Sequence, residues 1–266
     1  MDLLIVSIIT IGLYVIAGII QGMNLSGQRI SAKIWMIALG FVAICLHGVL
    51  LHRWIDVNSG QNLNFFNMLS LTAWLVAVLV LVVALLKSIE VLVIFVFPVA
   101  AISILLVLGF PNEYIIHTAA SPDTLFHILL SIITFCVLCL AGLLAILLAI
   151  QDAVLRKKQG NWMIEKMPPI MILERLLFQV VSLGFILLSV VMVTSVYFYH
   201  DLFFKNLALL QKSILVAAAW VIFAILLLGR YRWGWRGRRA IYGTLGGVLL
   251  LFLAYYGSKL VLEVLR

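Results

Sequence analysis

The chain alternates between long apolar stretches and short polar ones. Eight apolar stretches reach the length of about 20 residues that a transmembrane helix needs, and they cover roughly 3–20, 33–52, 66–86, 91–109, 124–150, 171–199, 212–229 and 240–262. The breaks between them are polar, as in QGMNLSGQR and RKKQGNWMIEKMPP. Span five should begin at Ser121-Pro122-Asp123, which offers an N-cap, a proline for the first helical position and an acid at the positive dipole end. The pattern predicts an all-α polytopic membrane protein, with residues 1–266 forming a single integral membrane domain and a bundle of about eight transmembrane helices.

Composition supports lipid as the surrounding solvent. The chain is 65% hydrophobic and 11% charged, whereas soluble domains average about 45–50% apolar and 25% charged residues. No soluble core could bury so much apolar surface, so the lipid bilayer is the first predicted partner. The stretch Met1–Ile20 has no basic residue ahead of its apolar run, and it is predicted to be a retained first span and not a signal peptide.

The distribution of basic residues predicts the orientation. Of the 18 Lys and Arg residues, 13 fall on one side of the predicted bilayer, and the other side holds Arg53, Lys205, Lys212, Lys259 and Arg266. Basic residues concentrate on the cytoplasmic side of membrane proteins. We therefore call the side with 13 basic residues the inner side. Both termini are predicted on the outer, periplasmic side of a bacterial inner (plasma) membrane, and the net charge of +8 is assigned to topology and not to nucleic-acid binding.

All five histidines fall in the outer half of this topology: His47, His52, His117, His127 and His200. Imidazole is a preferred ligand of haem iron, zinc and copper. Ionisable side chains at membrane depth are costly and usually functional, which draws attention to His47 and His127. The alternative is that each histidine is an ordinary interfacial or loop residue, or a hydrogen-bond partner between helices.

The outer rim is also rich in aromatic residues: Trp54, Phe65, Phe66, Tyr114, Phe126, Tyr197, Phe198, Tyr199, Phe203 and Phe204. These residues fit the aromatic belt that membrane proteins carry at the lipid–water interface. They also fit an apolar wall for haem, which is planar and carries two propionate carboxylates. Candidate cations for those carboxylates on the outer side are Arg53, Lys205 and Lys212.

Several stretches resemble one known family: SGQNLNFFNMLSLTAW (59–74), PNEYIIHTAASPDTLFHILLS (111–131), MPPIMILERLLFQ (167–179), YFYHDLFF (197–204) and GWRGRRAIYGTLGGVLLLFLAYYGSKLV (234–261). Together they are similar to the YpjD/HemX-like branch of the cytochrome c assembly protein family, the CcsA/CcmC-like proteins that handle haem in membranes. The resemblance covers most of the chain. It implies a bundle of about eight transmembrane helices with a haem-handling outer face.

The resemblance also implies a site and a role. His127 looks like the family histidine that opens a long span, and His200 and His47 are its candidate partners, with two of His47, His117, His127 and His200 expected to ligate haem iron. The cofactor is expected to be a non-covalent b-type haem, with no other metal. The implied role is non-enzymatic handling or delivery of haem at the outer face, alongside cytochrome assembly components. One difference is that the stretch between spans six and seven lacks the tryptophan-rich loop of better-understood members.

Two other functions stay open. A divalent metal-ion transporter accessory could use the histidines with the outer acids Asp56, Glu113, Asp123 and Asp201. A ligand-free regulatory or interaction protein could dock a soluble partner on its basic inner loops. The most basic of these loops, RYRWGWRGRRA, fits an interfacial positive-inside anchor, or a patch for anionic lipid or a partner.

Overall fold

A computed structural model describes residues 2–25, 31–58, 60–87, 89–112, 114–116, 122–156, 168–203, 207–257 and 259, without the side chains of 31, 32, 116, 122–124, 199–203, 207 and 208. Across these residues, eight helices are long and apolar enough to cross a membrane. The predicted all-α polytopic fold is thus confirmed. The even number of crossings places both termini on the same side.

Contacts divide the chain into two compact units. Unit 1 comprises residues 1–119 with 160–168, and unit 2 comprises residues 120–159 with 169–266. Each unit holds four of the helices. The single domain over residues 1–266 stays a prediction.

Unit 1 contains α1 (Leu3–Leu25), α2 (Ser31–Ile55), α3 (Phe65–Leu86) and α4 (Leu92–Gly109). Helices α1 and α3 each contact both α2 and α4, so every helix has two neighbours. Helix α3 begins at a side-chain cap, because Asn64 accepts the backbone N–H of Asn67 at 2.8 Å. This is the exchange that favours asparagine at a helix N-cap.

A small three-stranded sheet lies at the outer end of unit 1. Its strands are β1 (Asp56–Val57), β2 (Gly60–Asn62) and β3 (Ile115–Ile116), antiparallel and in the order β1-β2-β3. The Asn62 side chain reinforces it by accepting the backbone N–H of Tyr114 at 2.9 Å. Asn67 then donates to the carbonyl of Asn62 at 2.9 Å. The loops after α2 and α4 are therefore joined to the first turn of α3.

Unit 2 contains α5 (Pro122–Arg156), α6 (Ile170–Phe203), α7 (Leu207–Trp233) and α8 (Arg238–Phe252), and α8 continues as a π-helical turn, Leu253–Gly257. Helices α5 and α7 each contact both α6 and α8. Helix α5 begins at the proline that the Ser-Pro-Asp pattern predicted. Its 35 residues span about 52 Å, more than the 30 Å hydrocarbon core, so it extends beyond the core of the bilayer.

The surface of both units is apolar, as a lipid environment requires. Large hydrophobic side chains are exposed along the spans, for example Ile34 at 69% and Leu86 at 73%. Small residues instead let helices approach each other, as expected for membrane bundles. A Cβ on Gly247 of α8 would lie 2.5 Å from the ring of Phe223 on α7.

Candidate functional site

The structure describes two of the four candidate haem-ligating histidines in full. His47 lies in α2 of unit 1 and is completely buried, and His127 lies in the first turns of α5 in unit 2 and is half-buried. His200 lies on α6, but its side chain is outside the described part of the chain. His117 is also outside the described residues. The four-histidine set therefore stays a prediction, and the local geometry of His47 and His127 is what distinguishes them.

His127 is held by a hydrogen bond to the neighbouring helix. Its Nδ1 atom lies 2.9 Å from Oγ1 of Thr194 on α6. The same Oγ1 atom donates to the backbone carbonyl of Val191 at 3.0 Å. A threonine hydroxyl has only one hydrogen to donate, and here that hydrogen is engaged within α6.

With its own hydrogen engaged within α6, Oγ1 of Thr194 has lone pairs that can accept the Nδ1–H of His127. This hydrogen bond holds the imidazole ring against α6. Metal-ligating histidines commonly donate one ring N–H to a protein acceptor that sets the ring orientation.

The surroundings of His127 are apolar and open to lipid. On α5, Phe126 and Leu129 are 54% and 61% exposed, and on α6, Val193 and Tyr197 are 68% and 78% exposed. These exposed side chains lie within three positions of His127 or Thr194 along the two helices. A flat apolar ligand that enters from the bilayer would find hydrophobic contacts on both helices.

An aromatic layer lies deeper in unit 2. Ser131 is one helical turn below His127, and its carbonyl accepts a hydrogen bond from the Tyr255 hydroxyl at 2.8 Å. Phe135, one turn deeper again, stacks on the Tyr255 ring at 4.7 Å between centroids. Tyr255 belongs to the π-helical turn that ends α8, and π-helical turns occur frequently at functional sites. This layer joins α5 to the outer end of α8 at a level deeper than His127.

His47 has different surroundings. Its Nδ1 atom lies 3.2 Å from the Tyr14 hydroxyl of α1, and its Nε2 atom lies 2.9 Å from Oγ of Ser70 on α3. Oγ of Ser103 on α4 lies 3.3 Å from the same Ser70 oxygen. We call these four residues the hydroxyl–imidazole chain. It takes one side chain from each helix of unit 1, and all four residues are buried.

The hydroxyl–imidazole chain engages both ring nitrogens of His47 with protein partners. Such hydrogen bonds between helices are one of the ways in which polar residues join transmembrane segments. For His47 to bind iron, one of these two hydrogen bonds would have to break. Its geometry is therefore that of the helix-to-helix partner that the sequence left as an alternative.

The candidate propionate-binding cations are spread over both units. Arg53 is exposed at the outer end of α2, beside His52, whose Nδ1 lies 2.6 Å from the Asp56 carboxylate. Lys212 is partly buried near the start of α7, in the same unit as His127. Lys205 lies outside the described residues. Among the three propionate candidates, Lys212 is thus the one that the structure describes in the unit of His127.

The divalent-cation alternative has no described cluster to support it. Within the ranges given above, no three His, Cys, Asp or Glu side chains lie where they could hold a metal ion together. The outer acids Glu113, Asp123 and Asp201 fall outside the described side chains. This alternative accordingly stays a hypothesis.

Sequence reasoning missed the hydroxyl groups that give the two histidines their different surroundings. Thr194, Tyr14, Ser70 and Ser103 are all polar residues inside apolar spans, and that position is itself a signal, since polar groups inside membranes usually have partners. Their pairing with particular histidines has no sequence signal. Thr194 is 67 positions from His127.

Comparisons with known proteins agree with this architecture. The chain is 34% identical over 226 residues to the Inner membrane protein YpjD of Escherichia coli (strain K12), an alignment covering 84% of this chain and 85% of that protein. It is 32% identical over 142 residues, 52% of this chain and 51% of its relative, to the Uncharacterized 28.8 kDa protein in nifR3-like 5′region of Azospirillum brasilense. No solved structure matches the chain significantly. Residues 35–266 match the family described as Cytochrome C assembly protein, and the chain belongs to that family.

Proposed function

We propose that this protein binds haem at the outer end of unit 2 and handles it there without catalysing a reaction. The observation that supports the proposal is the His127–Thr194 hydrogen bond, which holds the imidazole ring against α6 in the way that protein acceptors hold metal-ligating histidines. Family membership supports a haem-related role in the membrane. The related YpjD protein is named an inner membrane protein, and this chain, with eight candidate spans, is likewise a multi-pass protein of the bacterial inner membrane.

The residues around His127 fit the chemistry of haem. The iron accepts an imidazole nitrogen as an axial ligand, and the porphyrin ring requires apolar contact. His127 would supply the axial nitrogen, and the exposed Phe126 and Tyr197 would cover the ring from the lipid side. Lys212 would neutralise a propionate carboxylate. Haem bound in this way supplies an iron centre with a characteristic visible spectrum, which makes the proposal measurable.

The second axial ligand is proposed within the same unit. His200 lies on α6, six positions beyond Thr194 towards the outer end, which corresponds to about 9 Å along a helix. The sequence candidate His117 belongs to unit 1 and is therefore not the second ligand proposed here. His47 is the weakest of the four candidates, because both of its ring nitrogens already have hydroxyl partners.

The test is a haem titration of the purified protein in detergent, followed by a reduced-minus-oxidised absorption spectrum. Wild type should develop a Soret band, and His127→Ala should lose it. Thr194→Val keeps the shape of the side chain but removes the acceptor of Nδ1, so haem affinity should fall by about 10–100-fold, the usual effect of removing such a partner. His52→Ala is the matched control, because His52 is exposed and at the outer end of a helix.

Two results would contradict the proposal. One is a wild-type protein with no Soret band after haem loading. The other is a His127→Ala protein that binds haem as tightly as the His52→Ala control. A loss in His127→Ala without any change in Thr194→Val would keep the ligand but reject the orienting role of Thr194.

A further inference from the structure

An open cleft of about 510 Å³ lies at the inner end of unit 2. It is bounded by the end of α5, the start of α6 and the connection between α7 and α8. This cleft is at the opposite side of the membrane from His127. Most of its lining residues belong to the RYRWGWRGRRA stretch. The sequence left open whether this stretch is an interfacial anchor or a binding patch.

The connection between α7 and α8 is a built structure. Gly234 and Gly237 have φ values of +63° and +57°, a conformation that side chains with a Cβ rarely adopt. Between them, the Trp235 N–H donates to the Gly229 carbonyl at 3.1 Å. The Trp235 ring packs so closely on Gly229 that a Cβ at this position would lie 2.3 Å from the ring. The Trp233 ring stacks beside it, with 5.9 Å between the ring centroids. The loop therefore holds its side chains in defined places.

Glu174 attaches this loop to α6. Its carboxylate, which is buried, accepts the backbone N–H of Gly237 at 2.6 Å, at the N-cap of α8. This hydrogen bond ties the inner start of span six to the start of span eight. Arg230 adds a second attachment, since it donates to the Trp235 carbonyl at 3.2 Å and lies over the ring of Phe178 at 4.6 Å.

The cleft has more positive than negative groups. Its lining includes Arg156, Arg236, Arg238 and Arg239 against one carboxylate, Glu174. A second acid nearby, Asp152, bonds Arg156 at 2.9 Å and lies 3.8 Å from Arg238. Within the described residues, Arg236 and Arg239 have no carboxylate partner. Arg239 lies over the Trp235 ring at 5.3 Å.

The level of the cleft in the membrane follows from its aromatic residues. Trp233 is 67% exposed, and Tyr231 and Tyr242 are exposed on either side of it. Exposed tryptophan and tyrosine concentrate at the level of the lipid headgroups. A cationic cleft at that level meets lipid phosphates, which arginine binds with two parallel hydrogen bonds.

We infer that this cleft binds the phosphate headgroup of an anionic lipid of the inner leaflet, through Arg236 and Arg239. The positive-inside rule alone would be satisfied by arginines that point separately into water. Here two left-handed glycines, the buried Glu174 and the packed Trp235 gather them around one cavity.

The experiment is a titration of the full-length protein in neutral detergent micelles with phosphatidylglycerol, with bound lipid counted by native mass spectrometry. Each basic residue near an anionic headgroup contributes to the free energy of lipid binding. The loss of two such residues should weaken phosphatidylglycerol binding by about 30-fold. R236Q/R239Q should show this loss. The matched control, R232Q/K87Q, removes two exposed inner cations outside the cleft lining and should weaken binding by less than about threefold.

A second variant keeps the positive charge. R236K/R239K should bind phosphatidylglycerol several-fold more weakly than wild type, because lysine cannot make the paired hydrogen bonds of arginine. This variant also tests the site if R236Q/R239Q fails to fold. Haem absorbance should be unchanged in all these variants, so failure of this inference and failure of the haem proposal are distinguishable.

Three outcomes would overturn the inference. Equal weakening in R236Q/R239Q and R232Q/K87Q would mean that the lipid responds to general surface charge. Equal affinity in every variant would mean that these arginines do not bind the lipid, and it would favour docking of a soluble protein at this surface. Displacement of the lipid by millimolar inorganic phosphate would identify the ligand as a soluble anion and not a membrane lipid.

Discussion

Replacement of His47 by leucine tests whether this histidine joins the helices of unit 1 or binds haem. Leucine is apolar and of roughly similar size, so the change removes both ring nitrogens with little loss of packing. The Tyr14 and Ser70 hydroxyl groups would lose their partner at 3.2 Å and 2.9 Å. Both hydroxyl groups are buried, so neither can turn to water.

The expected loss of stability follows from the two hydrogen bonds. Hydrogen bonds between transmembrane helices contribute about 0.6 kcal/mol on average and up to about 1.7 kcal/mol each. Two of them give about 1–3 kcal/mol for His47→Leu. Tyr14→Phe removes one hydroxyl and should lower the free energy of unfolding by about 0.6–1.7 kcal/mol.

The assay is reversible unfolding in mixed detergent micelles, followed by tryptophan fluorescence. The double variant Tyr14→Phe with His47→Leu should lose less than the sum of the two single changes, by about the value of one hydrogen bond, because the same contact is removed twice. His52→Leu is the control. It lies on the same helix but is exposed, so its effect should stay within about 0.5 kcal/mol.

Two observations would refute this reasoning. The first is a His47→Leu protein as stable as the His52→Leu control. The second is strict additivity in the double variant. A haem titration of the same proteins separates the two roles, because a joining residue can be lost while the Soret band stays. Loss of the Soret band with unchanged stability would instead make His47 a ligand.

Three further predictions concern packing, capping and charge. Gly247→Val should lower the free energy of unfolding by about 1–3 kcal/mol, as overpacking does, because its Cβ would press on Phe223; Gly246→Val, at a position with open space, is the comparison in the same unfolding assay. Asn64→Ala should lower it by about 1 kcal/mol through loss of the α3 N-cap, which the same assay would detect. Glu90→Gln should lower the free energy of unfolding by no more than about 1 kcal/mol, because its partner Lys33 at 2.5 Å is 42% exposed. Added salt should make the difference between this variant and wild type smaller still.

The eight spans could be predicted because a bilayer demands long apolar runs. The bounds were less predictable. Span one was expected to end at residue 20 and α1 ends at Leu25, and span five was expected over 124–150 while α5 covers Pro122–Arg156. Hydropathy detects only the residues that suit hydrocarbon, whereas a helix continues through the headgroup region until a cap or a proline ends it.

The outer sheet of unit 1 could not be predicted. Its strands have two or three residues each, too few for an alternating pattern to register. They are held by side chains from other segments, such as Asn62 on Tyr114 and Asn67 on Asn62. Two of the stretches that resemble the cytochrome c assembly family, SGQNLN and PNEYI, meet in this sheet. The asparagines of these stretches therefore have a structural role.

The roles of the two membrane-depth histidines depend on their neighbours' hydroxyl groups. His47 has a hydroxyl at each nitrogen, and Nδ1 of His127 lies 2.9 Å from the Thr194 hydroxyl, whose own hydrogen is engaged within α6. The acceptor type then matters for the proposed haem site. A carboxylate acceptor raises the basicity of a ligating imidazole and strengthens its bond to a metal, whereas a threonine hydroxyl is neutral and polarises the ring less. An axial histidine held by threonine therefore suits a protein that takes up haem and gives it away again, which is the requirement for handling and not for permanent storage.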